Sequence, residues 1–328
     1  MERIICGIDI GGSGCRIAIA YVQMIGESSI IRQQTTMRLN QSVAANSQGS
    51  TASEVISAAF RLLRNTHPDI IGNIHAVGIG CAGFSSFITD KERLCRQTAS
   101  LFQCPNVIIA ADALTAHAGA LQGKPGIIIA AGTGVIALAT DYSTFCRRTD
   151  GWGYLLGDTG GGSWIGRHAL HIALDTYEHR GQTHSASLLQ AATAAFGTPA
   201  EWPSRIYPYN DRAKILASFV PAVLACAATD PVALELLRSA GRELSYTLQS
   251  ALANNIGMPV SYTGSILTKC DPVRASFLDN MHKWNATIDI ASPAGTPLDG
   301  AVQLAMHIGL ISSQAIGSDI YVSLHGIR

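Results

Sequence analysis

Charge is what this chain has least of. Asp, Glu, Lys and Arg together make up 14% of its 328 residues, against about 25% in an average domain, and 23 basic residues cancel 23 acidic ones. Without a basic excess the chain lacks the long-range attraction to phosphate backbones on which nucleic-acid binding depends, so no nucleic-acid partner is expected. Cysteine pairs are absent too. The eight cysteines, at 6, 15, 81, 95, 104, 146, 226 and 270, show no C-x-x-C and no knuckle spacing, which excludes a disulfide or zinc framework and suits reduced thiols in the cytoplasm. Long apolar runs are also missing. The longest, Ile127 to Ala139, is broken by Gly132 and Gly134, too short for a membrane span. Asp9 and a glycine cluster stand where an export signal would carry its apolar stretch, so no signal peptide is read.

What is present is core. Apolar residues make up 47% of the chain, and its length exceeds what one core usually serves, so two domains of roughly 150 residues are expected. The segments RIICGIDI and CRIAIAY read as strands joined by Gly11, Gly12, Ser13 and Gly14, a hairpin whose tip lets backbone N–H groups approach a ligand. A strand SIIRQQTTM, a helix EVISAAFRLLR, a strand IHAVGIG, and a strand NVIIA leading into the helix ADALTAHAGALQ follow. GIIIA, a turn through Gly132, Thr133 and Gly134, and VIALAT then repeat the opening unit, so the chain reads as internally duplicated. From Ser163 to about residue 252 the pattern is helical, with Asp230-Pro231 and Asp271-Pro272 as helix starts. PVSYTGSI and TIDIAS read as later strands, and a helix begins around Asp299.

Two glycine-rich hairpins in duplicated domains can clamp one polyphosphate, with Ser13 adding a hydroxyl donor. Asp9, just before the first tip, either serves magnesium through water or caps its own turn. Asp112, at a strand end and helix start, is either an N-cap or a general base for a hydroxyl that attacks phosphorus. The segment from Gly151 to Gly162 holds six glycines around Trp152 and Asp158; an aromatic plate and a carboxylate suit a sugar, while a glycine-rich connector with one core Trp is the alternative. Other matches fail on inspection. Gly78-Ile79-Gly80-Cys81-Ala82-Gly83 fits G-x-G-x-x-G, but Gln103 stands where a dinucleotide site needs an acid. Gly123-Lys124 is followed by Pro125, which rules out a P-loop. His168 and His171 could reach one metal, but no further ligand set accompanies them.

In order, GIDIGGSGCR, GIGCAGF, Asp112 after NVIIA, GTG at 132–134, GWGYLLGDTGGGSWIG, TGSILTK and PLDGAVQLA resemble the N-acetylglucosamine kinase and BadF/BadG/BcrA/BcrD-type group of the actin, sugar kinase and Hsp70 ATPase superfamily, over roughly residues 4–310. The resemblance implies an α/β fold of two ribonuclease-H-like, actin-like ATPase domains with a central cleft: residues 1–116 with about 300–328, and residues 117–299. It implies ATP between Gly11–Gly14 and Gly132–Gly134, with Gly264 and Ser265 near the adenosine, Mg2+ at Asp9, Asp112 as catalytic base, and Asn40, Trp152 and Asp158 on the sugar. The implied activity is phosphorylation of the 6-hydroxyl of N-acetylglucosamine by a cytoplasmic homodimer. Glucosamine or N-acetylmuramic acid are alternative acceptors. An ATPase that activates a redox partner and a non-catalytic sugar sensor are alternatives of other classes. The chain departs from the group's pattern at Thr159, where GDEGS is usual, at Val135 and Ile136 after GTG, and at Gly14 and Cys15 in place of a basic and a hydroxyl residue. The first departure puts selectivity at the sugar's 2-substituent in question.

Overall fold

The computed structural model describes residues 2–326 apart from 12–13, 26–27, 44, 47–48, 85–87, 210, 254–256 and 312–321. It divides into two compact units, Met1–Ile127 with Leu138–Arg147 and Ser292–Arg328, and Ile128–Ala137 with Arg148–Ala291.

The first unit is built on a six-stranded sheet. Strands β1 (Glu2–Gly11), β2 (Gly14–Ile25) and β3 (Ser28–Leu39) form an antiparallel meander. β4 (Ile74–Cys81) and β5 (Val107–Ala111) continue it in parallel from β1, and a last strand, Val322–His325, closes the edge antiparallel to β5. The centre of β1 is buried without interruption from Ile5 to Ile10, because helices cover the sheet and a strand buried on both faces reads as a continuous apolar run. One cover is the helix Pro297–Met306 near the chain end, started by a capping box between Thr296 and Asp299. Its seat depends on residues without side chains. A Cβ at Gly7 or Gly78 would strike this helix, and one at Gly300 would strike the backbone of helix α1 (Asp112–Ala120).

β6 (Gly126–Ala131), β7 (Val135–Thr140), β8 (Cys146–Asp150), β9 (Val260–Thr263) and β10 (Ile290–Ala291) form a five-stranded sheet in the order β8-β7-β6-β9-β10, whose residues 128–137 and from 148 onward belong to the second unit. Numbering each sheet from its own first strand, both follow the order 3-2-1-4-5, so the internal repeat read from the two glycine turns is a repeat of topology. The helices of this unit include α2 (Gly162–Glu178), α3 (Pro231–Leu252) and α4 (Asp271–Trp284).

Local details refine the sequence reading. Asp230 caps α3 by accepting from the amides of Val232 and Ala233. Asp271 does not repeat that device: it lies inside α4, with Cys270 at the cap position, and pairs with Arg274. The strand expected over TIDIAS shrinks to Ile290–Ala291. The helix Lys91–Phe102 escapes a search for apolar periodicity because it is rich in polar residues; its signal is Asp90, whose carboxylate accepts from Arg93 N–H.

Candidate functional site

Strand register gathers the first group of residues. Asp9 pairs with Arg16 across β1 and β2 and with Gly80 across β1 and β4, while Cys15 pairs with Leu39 and Cys81 with Ala111. The hairpin end at Gly11 and Gly14, Asn40 just past β3, and Asp112 just past β5 therefore emerge at one end of the sheet, the carboxyl end of its parallel strands, where α/β sheets present ligand groups. Gly14 is extended into positive φ (147°) beside the carbonyl of Leu39. Gly12 and Ser13, expected on phosphate, lie outside the described residues. Asn40 is exposed.

Two carboxylates dominate this corner. Asp9 is buried, 5% exposed, and accepts a 2.6 Å charged hydrogen bond from Arg16 Nη2. Burial pushes its carboxyl upward against the lowering pull of Arg16. Asp112 opens α1, where its Oδ1 takes the amide of Ala113 at 3.0 Å. Water reaches its side chain, yet desolvation by the protein around it and, after that, the charge of Asp9 push its carboxyl up to about 6. Neither carboxylate is fully committed to the backbone. Asp9 offers the hard oxygen that magnesium takes one or two of while keeping most of its waters, so the donor chemistry fits that ion.

The nearby thiols are inert by the same physics. Burial first, then the neighbouring carboxylates, push Cys81 up to about 12, and burial does the same for Cys15. Arg16 is the residue of this corner that motif reading passes over, because its importance comes from the pairing of two strands. A signal existed in principle: in a two-residue hairpin closed by Gly11 and Gly14, residues 9 and 16 must face one another.

The second unit gathers the other group. In the turn after β6 the carbonyls of Gly132 and Thr133 accept the amides of Gly162 and Ser163, at 2.8 and 2.9 Å, from the first turn of α2. A planar trans peptide directs its N–H opposite its C=O, so the amides of Thr133 and Gly134 point away from α2, the orientation an anion needs. Gly264, at φ 90°, lies against the backbone of Ala131, and Ser265 is exposed beside it. The structure thus brings Gly132, Thr133, Gly134, Gly264 and Ser265 together.

Asp158 joins the same group from the loop before α2. It is 8% exposed, sits at φ 56°, and its carboxylate accepts backbone N–H bonds from Val135 and Gly153; burial is nevertheless the largest influence and raises its pKa. A Cβ at Gly134 would strike this carboxylate. Asp150, which the sequence reading did not single out, supports the loop in turn: its two oxygens accept the amides of Asp158 at 2.9 Å and Thr159 at 3.3 Å. Trp152 is 64% exposed, with the Arg148 guanidinium 4.1 Å from its ring centroid. His168 stacks on Trp164 and bonds its carbonyl, and no group of three metal-ligating side chains occurs among the described residues. Among those residues, too, no helix is long and apolar enough to cross a membrane.

The chain is 35% identical over 107 residues to the N-acetylmuramic acid/N-acetylglucosamine kinase of Clostridium acetobutylicum, covering 33% of this chain and 35% of that protein. It is 30% identical over 184 residues to the N-acetyl-D-glucosamine kinase of Dictyostelium discoideum, covering 55% and 57%. The chain thus spans about a third and somewhat over half of these relatives' lengths. A crystal structure from Chromobacterium violaceum, provisionally designated an N-acetylglucosamine kinase, superposes with a TM-score of 0.66 at 23% identity, over 92% of this chain and 98% of that one. That likeness identifies the fold as the actin-like one of two related α/β units. The model of the BadF/BadG/BcrA/BcrD ATPase family matches residues 6–305, and the chain belongs to that family.

Proposed function

We propose that this chain is an ATP-dependent amino-sugar kinase that transfers the γ-phosphoryl group to the 6-hydroxyl of N-acetylglucosamine. The observation that carries the reading is Asp112: a water-accessible carboxylate at a strand end, beside a buried second carboxylate, with its pKa raised to about 6. A base is most useful when it is ionised yet still basic near the working pH, and Asp112 meets both conditions at neutral pH. It takes the proton of the sugar hydroxyl as the oxygen attacks phosphorus, the leaving nucleoside diphosphate carries the charge away, and Asp112 returns the proton to water.

The amides of Thr133 and Gly134 donate to phosphate oxygens from their side of the turn, and Gly264 and Ser265 flank the nucleoside. Magnesium, bound with the nucleotide at Asp9, would neutralise charge on the transferring group. Trp152 offers a ring face to the C–H side of the sugar, with Asp158 in the same loop, and Asn40 is the candidate sugar contact of the first unit. N-acetylmuramic acid is the second acceptor in view, since one relative's name includes it.

A coupled ADP-release assay with Mg-ATP against glucosamine, N-acetylglucosamine, N-acetylmuramic acid, N-acetylmannosamine and glucose tests the proposal. Turnover greatest with N-acetylglucosamine, a product whose phosphate is on oxygen 6, and loss of turnover in Asp112→Asn support it; equal turnover in that variant overturns the assignment of the base. The proposal extends to a cytoplasmic homodimer. All eight cysteines are unpaired, as in a reducing compartment, and light scattering showing a single-chain particle would refute the dimer.

A further inference from the structure

Asp9 and Arg16 present a conflict that the kinase reading does not resolve. Among the described residues Arg16 is the side-chain partner of Asp9, and it is bonded to Oδ2, an oxygen of the carboxylate assigned above to the metal. A guanidinium and a divalent cation cannot both approach one carboxylate closely without mutual repulsion, which is large in a partly buried site. Arginine cannot yield by losing its proton, because it stays charged at any ordinary pH. It can yield only by turning away. The side chain of Arg16 is 50% exposed while that of Asp9 is 7% exposed, so one partner is free to leave and the other is fixed in the sheet.

Two features show where it can go. Arg16 lies two residues beyond Gly14, at the mouth of the hairpin expected to meet the polyphosphate, and a guanidinium fork matches phosphate oxygens in pairs. Its charge also reaches Asp299 on the helix Pro297–Met306. Burial would raise the carboxyl of Asp299, but hydrogen bonds from Thr296 and Gln34, with the charge of Arg16, hold it below the usual range. Asp299 is therefore a second carboxylate within electrostatic reach of a guanidinium that leaves Asp9.

We infer that Arg16 competes with the metal for Asp9, and that arriving polyphosphate draws it off, so that metal alone binds poorly and metal with nucleotide binds well. The inference rests on the reading of Asp9 as the metal carboxylate. Arg16 is then a positioning residue: it keeps Asp9 ionised and aimed, and it couples metal binding to nucleotide binding. A direct consequence is that bare metal does not lock the site in the absence of nucleotide.

The test is titration of the full chain with Mn2+ at pH 8, reading free metal by electron paramagnetic resonance, with and without a non-hydrolysable ATP analogue. Wild type, Arg16→Gln, Arg16→Lys and Asp9→Asn are compared. Removing the competitor in Arg16→Gln is expected to tighten Mn2+ binding without nucleotide about fivefold, the scale of one half-exposed ion pair. The gain from adding the analogue should shrink by the same factor, and Arg16→Lys should fall between. A merely structural arginine would not improve metal binding when removed. If Arg16→Gln binds Mn2+ no more tightly than wild type while Asp9→Asn loses it, the inference is overturned and the assignment of Asp9 stands. If Asp9→Asn and wild type bind Mn2+ alike in the presence of the analogue, the assignment of Asp9 falls and takes the inference with it.

Discussion

Each unit holds a pair of aspartates close to its glycine turn, and the two pairs do opposite things. In the first unit Asp9 is held by the Arg16 guanidinium, Asp112 accepts the amides of Ala113 and of its own residue at the head of a helix, and the charge of Asp9 adds to the cost of charging Asp112. Asp150 and Asp158 in the second spend their oxygens on the amides of residues 135, 153, 158 and 159. In the first pair burial raises the pKa of both carboxyls, which costs stability. The second helps to hold a loop of six glycines in one shape, alongside backbone bonds such as those from the Gly157 amide to Gly153 and from the Gly161 amide to Asp158.

Breaking the comparison at Asp112 gives the largest expected effect. Asp112→Asn should lower kcat by about 10²- to 10⁴-fold, the scale of a lost general base, with little change in sugar affinity. Stability should move the other way. A carboxyl whose folded pKa is raised binds its proton more tightly in the native state, so its contribution to stability falls as pH rises from about 4 through about 6. The amide variant is therefore expected to melt no lower than wild type at pH 7.5. The same group sets the acid limb of the rate profile: kcat/KM should fall below about pH 6 as Asp112 takes up its proton. A profile flat down to pH 5 would separate this residue from the chemistry.

The second pair should respond in reverse. Asp158→Ala leaves the amides of Val135 and Gly153 without their acceptor in a buried place, at about 1–3 kcal/mol, and thermal denaturation should show a drop of several degrees. Asp150→Ala exposes two amides at a half-buried position and should cost about 1 kcal/mol. For both, KM for sugar and ATP should rise together through loosening of the loop. A variant of Asp158 that keeps its melting temperature and loses only sugar affinity would show that its carboxylate serves the ligand and not the loop.

This division explains what could be read in the residues alone. The strands and the duplication follow from apolar runs and glycine turns, which are local signals, whereas the gathering of Asp9, Gly11, Gly14 and Asp112 depends on the parallel pairing of β1, β4 and β5. The partnership of Asp9 with Arg16 needed the register of β1 and β2 in addition. The role of Asp150 was invisible, because it depends on a left-handed residue (φ 61°) accepting from amides eight and nine positions later. Carboxylate identity in a glycine-rich motif does not say whether backbone or ligand will occupy its oxygens; the donors around it decide.

Trp152 offers the smallest effect on stability and the sharpest separation of stability from binding. Its ring is mostly exposed, and the stacked Arg148 contributes about 0.5–1 kcal/mol at such a site. Trp152→Ala should therefore shift the melting temperature by a degree or two at most. If the ring is the plate for the sugar's C–H face, the same change should raise KM for the sugar about tenfold while leaving KM for ATP within twofold, the loss of one aromatic contact worth ~1.4 kcal/mol. Arg148→Ala should free the ring face without removing it, so its sugar KM should stay near wild type or fall. If both variants raise the sugar KM equally, the pair acts as one unit and the guanidinium, not the ring face, meets the sugar. An unchanged KM in both would leave the braced loop as scaffold alone and move sugar recognition to the corner around Asp112.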